Sequence, residues 1–452
     1  MRSNHTISLV NRKEPLLLGL GDLVLMAFSL WAALVLRYGG LPSAGLLQTH
    51  ALPFSMVFLV SLVVFYISGL YGRTVHMTRS SIPATVIRSQ IANGLLAIVL
   101  FYFIPAFDVT PKTNLFIYLF LSAVFIILWR LNTYKLFSLR HKYDALVIGS
   151  GSEVEELVSE MSDNPRVSLS CREKIDPDGI SEKLMASMEG DHDGFQYVVA
   201  DMDDPRVEAV LPELYRRFFA KVQIVDLHEF YEEIFERIPL SRMDHAWIMS
   251  SVSSLSPRIY DAVKRTMDIV LAILVGAVAC LAYPFVALAV KMEDGGPVFI
   301  EQERIGRDGR PIKVYKFRSM QRNEHGKWVK ESGAVDNKVT RVGRFIRKAR
   351  IDELPQALAV LKGEMSLIGP RADIAGLDER LGKEIPYYSV RTVISPGLTG
   401  WAQINQDKPP QSVEETKLRL SYDLYYITHR SLGLDMRIVL RTMRTLLARV
   451  GM

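Results

Sequence analysis

Residues 350–355 read Arg-Ile-Asp-Glu-Leu-Pro, with Leu358 and Leu361 following at helical spacing. Two adjacent carboxylates ahead of an apolar turn have two uses. They complement the dipole of a helix start, with Asp352 near the cap and Pro355 tolerated in the first turn. A carboxylate also attacks phosphorus as a covalent nucleophile, and arginines or a divalent cation then neutralise the charge that develops. The neighbouring residues favour the second use. Gly363 comes next, then Gly369-Pro370-Arg371, then Pro-Gly-Leu-Thr-Gly-Trp-Ala-Gln-Ile-Asn over 396–405, which contains Gln403 and Asn405. Stiff loops carrying polar or basic side chains are where function is positioned.

A cationic patch lies just upstream. The runs PVFIEQERI and PIKVYKFRSM flank Arg307-Asp308-Gly309-Arg310, and the Asp-Gly pair predicts a hairpin. A period of two places Lys316 and Arg318 on one face of the second strand, with Arg304 close by on its partner. Such a face suits an anion with several oxygens, because guanidinium groups hold phosphate bidentately. A solvated basic hairpin, or one resting on anionic lipid headgroups, reads the same way.

A third feature is Gly149-Ser150-Gly151, at the end of the strand-like run YDALVIG. In a dinucleotide site a third small residue would follow, but Val154 stands there. Both a structural turn and a nucleotide site are open at this point.

These residues sit in a chain of 452 residues, long enough for several domains, with net charge +5, 49% hydrophobic residues and mean hydropathy +0.14. The 23% of charged residues is too balanced for a disordered scaffold. Two cysteines, Cys171 and Cys280, exclude a disulfide framework and a Cys-rich zinc site. Four apolar stretches, Leu16–Leu36, Ala51–Tyr71, Val86–Phe107 and Leu115–Trp129, are each long enough to cross ~30 Å of hydrocarbon. The first lacks a cleavage signature and is read as a retained span. Basic residues cluster before the first span (Arg12, Lys13), between the second and third (Arg73, Arg79, Arg88) and after the fourth (Arg130, Lys135, Arg140, Lys142). The other loops carry a lone Arg37 and a Lys112 offset by Asp108. The positive-inside rule therefore places the N-terminus, and everything after Lys142, in the cytoplasm. Asp22 lies inside the first span, where an ionisable group is costly, and is read as a helix-packing residue.

From Tyr143 the strand-like runs YDALVIG, VSLSC, FQYVVAD and KVQIVDL alternate with helical stretches, among them Val207–Phe218, which predicts a parallel α/β sheet. A serine-rich linker ending at Pro257 leads to a fifth apolar stretch, Ile269–Val290. Pro284 interrupts it, and the segment that follows is dense in Lys and Arg. A full crossing would put that basic segment outside, so the expectation is a broken helix that dips in and returns at Pro284, with a fifth ordinary span as the alternative. At the C-terminus, Leu434–Val450 is amphipathic and suits either the membrane interface or the protein core.

The run from Lys264 onward resembles the bacterial sugar transferase domain of the monotopic phosphoglycosyl transferases. The resemblance rests on KRTMD, the Pro-broken helix, GGPVFIEQERIGRDGRPIKVYKFRSM, DELPQALAVLKGEMSLIGPR and PGLTGWAQIN, in that order. The preceding spans and Rossmann-like module resemble the large subgroup of these enzymes that start lipid-linked exopolysaccharide or O-antigen synthesis. The implied architecture is a membrane protein in three parts: an N-terminal four-helix transmembrane bundle (1–142), a degenerate Rossmann-like α/β module (143–245), and a C-terminal α+β monotopic catalytic domain (246–452) with a re-entrant helix at about 266–290.

The resemblance also implies a reaction. Asp352 is then the nucleophile on the β-phosphorus of a UDP-sugar, UMP is expelled, and undecaprenyl phosphate takes the sugar phosphate from an aspartyl intermediate. Mg²⁺ is the implied cofactor, with Asp352 and Glu353 as its carboxylates; Glu353 either binds this metal or deprotonates the acceptor. Arg371, from the Pro-Arg pair, is the first phosphate contact, followed by Lys316, Arg318 and Arg304, with Gln403 and Asn405 as further substrate-binding residues. Tyr283 and Ser395 depart from serine and arginine in some members. The implied partners are the UDP-sugar, undecaprenyl phosphate and the lipid bilayer, with no nucleic acid and with a homo-oligomer left open. The implied location is the bacterial cytoplasmic membrane. Two rivals stand beside this reading: a membrane glycosyl transferase releasing UDP, and a non-catalytic scaffold sensing nucleotide through Gly149–Gly151.

Overall fold

The computed structural model describes residues 14–71, 81–103, 112–138, 142–164, 167–178, 195–210, 223–253, 258–320, 339–406 and 408–450. Arg12, Lys13, Arg73, Arg79, Asp108, Arg140, Pro257 and most of the helix expected over Val207–Phe218 lie outside them. By packing, the chain divides into two units, Met1–Ile234 and Phe235–Met452.

The first unit opens with four helices: α1 (Glu14–Tyr38), α2 (Ala44–Ile67), α3 (Ser81–Phe103) and α4 (Lys112–Ser138). Each contains a run long and apolar enough to cross a membrane. Their interior is filled by Met26, Leu34, Phe54, Phe65, Tyr118 and Ile126. A Cβ on Gly21 would sit 2.5 Å from the Trp129 ring, so α1 and α4 approach this closely only through glycine.

Asp22, the costly intramembrane acid, has a counter-charge. It forms an ion pair with Arg130, both side chains being almost fully buried, and accepts a hydrogen bond from the Tyr71 hydroxyl at 2.6 Å. Arg130 also donates to the Leu70 carbonyl at 2.7 Å. The sequence reading counted Arg130 as a loop charge after the fourth span. Instead, α4 continues to Ser138 and turns the guanidinium inward. A second polar layer joins Gln90 to Ser122 at 2.8 Å, and a third joins His50 to Asn114 at 3.0 Å.

A four-stranded sheet follows, made of β1 (Tyr143–Ile148), β2 (Leu169–Ile175), β3 (Tyr197–Ala200) and β4 (Gln223–Asp226). Its order is β2-β1-β3-β4 and every pair is parallel. Helix α5 (Ser152–Asp163) leaves β1 through the Gly149–Gly151 turn. Val154 is buried, and a Cβ on Gly149 would meet its Cγ2 at 3.1 Å. An apolar contact thus occupies the position where a dinucleotide turn has its third small residue.

The second unit begins about ten residues before the expected boundary at 245/246. Ile238 belongs to its core, and the Trp401 indole donates to the Glu236 carbonyl at 2.8 Å. One long helix, Arg258–Asp294, then packs chiefly against the 341–348 helix, the 351–362 segment and the short strand at 366–368. It stays helical through Pro284, which corrects the expectation of a broken helix. Proline removes one backbone donor and strains the preceding turn, which kinks a helix without necessarily ending it. Both ends of this helix bond to the same unit. Arg265 donates to the carbonyls of Val360 and Leu361 at 2.7 and 2.9 Å, and Asp268 accepts from the Leu367 amide at 3.1 Å. At the other end Glu293 accepts from the Arg341 amide at 2.6 Å, and Asp294 pairs with Arg318.

The hairpin is present as β5 (Phe299–Ile305) and β6 (Pro311–Phe317), antiparallel, with Asp308 and Gly309 at positive φ in its turn. Two short parallel strands, β7 (Ser366–Ile368) and β8 (Gly397–Thr399), bring the 369–371 and 396–400 loops together. The C-terminal helix Leu432–Val450 inserts Leu434 and Ile438 into the core and pairs Arg437 with Glu236 at 2.6 Å. That face is a core face. The side chains of Leu446, Leu447, Arg449 and Val450 lie outside the described residues.

Candidate active site

Strand β6 alternates, so Tyr315 and Phe317 face one way and Lys316 the other. Lys316 thereby reaches a 3-10 turn, Ile351–Gln356, which starts after Arg350 in a left-handed conformation (φ 57°). Only at Ala357 does a short α-helix begin, running to Lys362. Asp352 makes no capping hydrogen bond here, so the helix-cap use of the acid pair is not realised.

The two carboxylates have opposite surroundings. Glu353 is enclosed by cations: its Oε1 accepts from Lys316 Nζ at 3.1 Å and from Arg371 Nη2 at 2.8 Å, and its Oε2 from Arg350 Nη1 at 3.1 Å. Burial opposes ionisation of Glu353, but Arg371, Lys316 and Arg350 outweigh it and hold the carboxyl far below the usual range. Asp352, one residue earlier, has a buried Oδ1 with no hydrogen-bond partner. Burial raises the Asp352 carboxyl above its ordinary range, and the neighbouring Glu353 charge adds to the rise against Lys316, Arg350 and Arg347. A buried acceptor without a donor is costly in a finished fold and marks a place where another group belongs.

Burial also acts on the basic residues. Burial pushes Lys316 below the usual lysine range, with Arg371 and Arg304 adding to the effect. Burial, then the repulsion of Arg371, brings Arg304 down to about 10. Arg304 is tied to the Ala372 carbonyl and to Gln302 at 2.8 Å. Behind Arg371, a fully enclosed network of Arg391, Asp373, Asp423 and Tyr388 grips the chain: Arg391 donates to Asp423 and to the Arg371 carbonyl, both at 2.9 Å, and pairs with Asp373.

Asp352, Glu353, Lys316, Arg371 and Arg304 therefore come together. Three expected contacts do not join them. Strand β6 ends at Phe317, so the alternation fails at Arg318, whose buried guanidinium pairs with Asp294 and packs under Gly296. Gln403 donates to the Leu398 carbonyl at 3.0 Å, and Asn405 donates to the Trp401 carbonyl at 2.9 Å while accepting from Arg441 at 3.0 Å. These two amides brace their own loop. Conversely, sequence reasoning missed Arg350, which the i,i+3 spacing to Glu353 would have flagged, and Arg391, whose role nothing in local sequence signals.

Two side chains with negative charge, four with positive charge and one unpartnered oxygen make a pocket for a polyanion with an electrophilic centre. Residues 259–449 match the family described as bacterial sugar transferase. Among curated relatives, the chain is 37% identical over 260 residues to a UDP-N-acetylgalactosamine-undecaprenyl-phosphate N-acetylgalactosaminephosphotransferase of Aeromonas hydrophila, covering 57% of this chain and 60% of the relative. It is 43% identical over 180 residues to a UDP-glucose:undecaprenyl-phosphate glucose-1-phosphate transferase of Escherichia coli K12, covering 40% and 39%. It is 42% identical over 193 residues to a protein of the same description from Caulobacter vibrioides, covering 42% of this chain and 72% of the relative. The chain thus spans only part of the length of the first two.

Proposed function

The chain belongs to the bacterial sugar transferase family, and from that premise we propose that it transfers a sugar 1-phosphate from a UDP-sugar to undecaprenyl phosphate and releases UMP. The observation that carries the reading is the contrast between the unpartnered Asp352 Oδ1 and the triply paired Glu353 beside it.

In the first step Asp352 Oδ1 attacks the sugar-bearing phosphorus. The bond from that phosphorus to the bridging oxygen breaks, and the oxygen leaves with its electron pair as UMP. The sugar phosphate is then held as an acyl phosphate. In the second step a phosphate oxygen of the prenyl phosphate attacks the same phosphorus, and Asp352 departs as a carboxylate. The attacking acceptor is already an anion, so the step requires no strong base. Glu353 suits a positioning role better than a basic one, because a carboxyl held so far below its usual range binds protons poorly. It gathers Lys316, Arg350 and Arg371 around the place where a diphosphate must lie.

The donor set also fits Mg²⁺. This ion takes one or two carboxylates and completes its shell with phosphate oxygens and water, and Asp352 and Glu353 are adjacent carboxylates in one turn. Asp352 and Glu353 are the residues that would hold it. Bound there, it would spread the charge of the diphosphate oxygens.

The long helix is read as re-entrant. Along a straight helix Arg265 and Asp294 would be separated by about 43 Å, more than the ~30 Å of hydrocarbon, yet both ends bond to one unit. A membrane passage between them would divide that unit across two sides. The basic segment after Lys291 and the positive-inside count support a cytoplasmic catalytic unit on the bacterial inner membrane. The deciding experiment supplies UDP-hexoses and undecaprenyl phosphate and identifies the nucleotide released: UMP is expected, and UDP would mark a glycosyl transferase.

A further inference from the structure

We propose that the isoprenoid chain of the acceptor lies in an apolar groove of about 570 Å³ between the long helix and the catalytic hairpin. This assignment rests on the reaction proposed above and adds where the lipid tail goes. The volume falls within the range of dedicated ligand sites, roughly 300 to 1,000 Å³.

One wall is the helix segment carrying Gly276, Ala279 and Cys280. The opposite wall is the hairpin, where Phe299 lies 5.1 Å from Phe317, and Tyr283 of the helix closes one side by stacking on Phe299 at 5.6 Å with rings nearly parallel. The floor is Leu354, Pro355 and Leu358, the first two of which directly follow Asp352 and Glu353 in the chain. Head and tail recognition are therefore the two faces of the same short segments. On β6, Lys316 points to the carboxylates while Tyr315 and Phe317 line the groove. On the 3-10 turn, the acids face the cations and the next two residues face the groove. An amphiphile with a phosphate head and a long, flexible apolar body fits this arrangement. The acceptor is the one substrate of that kind, since its phosphate must reach the phosphorus carried by Asp352. The helix that forms the groove also bears exposed Leu274, Val278, Leu281 and Phe285, so the groove continues into a lipid-facing surface.

The test uses farnesyl phosphate in detergent, which removes partitioning into a bilayer. Gly276 lines the groove and a Cβ there meets nothing within 4 Å, so Gly276→Leu begins its side chain in open space and occupies part of the groove. Its KM for farnesyl phosphate is expected to rise about tenfold while the KM for the UDP-sugar serves as the internal reference, and Ala279→Leu is expected to behave alike. Leu288→Ala, on the same helix but outside the groove, is the control. Binding is read directly at Cys280 in a Cys171→Ser background: farnesyl phosphate is expected to slow its alkylation by N-ethylmaleimide, and inorganic phosphate is not. A farnesyl phosphate KM within twofold of the unsubstituted protein in both variants, a rise shared equally by the UDP-sugar, or alkylation indifferent to farnesyl phosphate would each overturn the groove. Lack of UMP release by the unsubstituted protein would instead overturn the reaction itself.

Discussion

Arg391 donates to the backbone carbonyl of Arg371 at 2.9 Å, so a fully buried cation holds in place the residue whose own guanidinium grips Glu353. The anion site is thus braced from behind by a charge network that reaches it through the Arg371 backbone. Arg391→Met leaves Asp373 and Asp423 buried without their main counter-charge, a loss on the order of 3–5 kcal/mol, and a lowered unfolding temperature is the expected result. An unchanged temperature would show that the network is dispensable.

Asp352→Asn keeps the shape of the turn and removes the proposed nucleophile. Transfer should fall to background, and the adduct of sugar phosphate expected by intact mass on the unsubstituted protein without acceptor should be absent. Steady transfer by this variant would dismiss both the covalent route and catalysis through Asp352.

Arg371→Ala should lower turnover by roughly 10²-fold, the scale seen when one donor to developing charge is removed. Arg371→Lys should recover only part of that, because a lysine cannot serve Glu353 and a phosphate through one planar group.

Glu353→Gln separates two roles. If Glu353 organises Lys316, Arg350 and Arg371, both half-reactions slow together, since each needs the same cations. Loading of the protein at the normal rate, with only the acceptor step impaired, would make Glu353 the base instead.

The Asp22–Arg130 pair offers a cycle of variants in the membrane bundle. Asp22→Leu or Arg130→Leu alone strands one charge and should be strongly destabilising, whereas the double variant removes both and should be milder than either. Additive losses would show that the pair contributes nothing as a pair.

A cysteine at Arg310, in the hairpin turn, should react with membrane-impermeant maleimide only in inverted vesicles or lysed cells. Labelling of intact cells from outside would reject the one-sided course of the long helix.

The membrane helices were legible because each needs about 20 apolar residues, a pattern that survives any tertiary arrangement. Arg130 was not, because counting charges near span ends treats as loop a residue that α4 carries into the interior. The hairpin was legible from Asp308-Gly309 and strict alternation, and Arg318 was misjudged because alternation holds only as far as the strand, which stops at Phe317. The acid pair stood out in sequence. Which member keeps a free oxygen depends on cations arriving from 316, 350 and 371, a convergence that no local pattern encodes.

A long helix fastened at both ends to one body has a consequence for the order of events in the cell. If the proposed reaction takes place there, its diphosphate product would stay in the leaflet where it is assembled, because dragging a sugar and two phosphates through ~30 Å of oil is steeply uphill. Its passage to the other leaflet would then need a separate act of flipping.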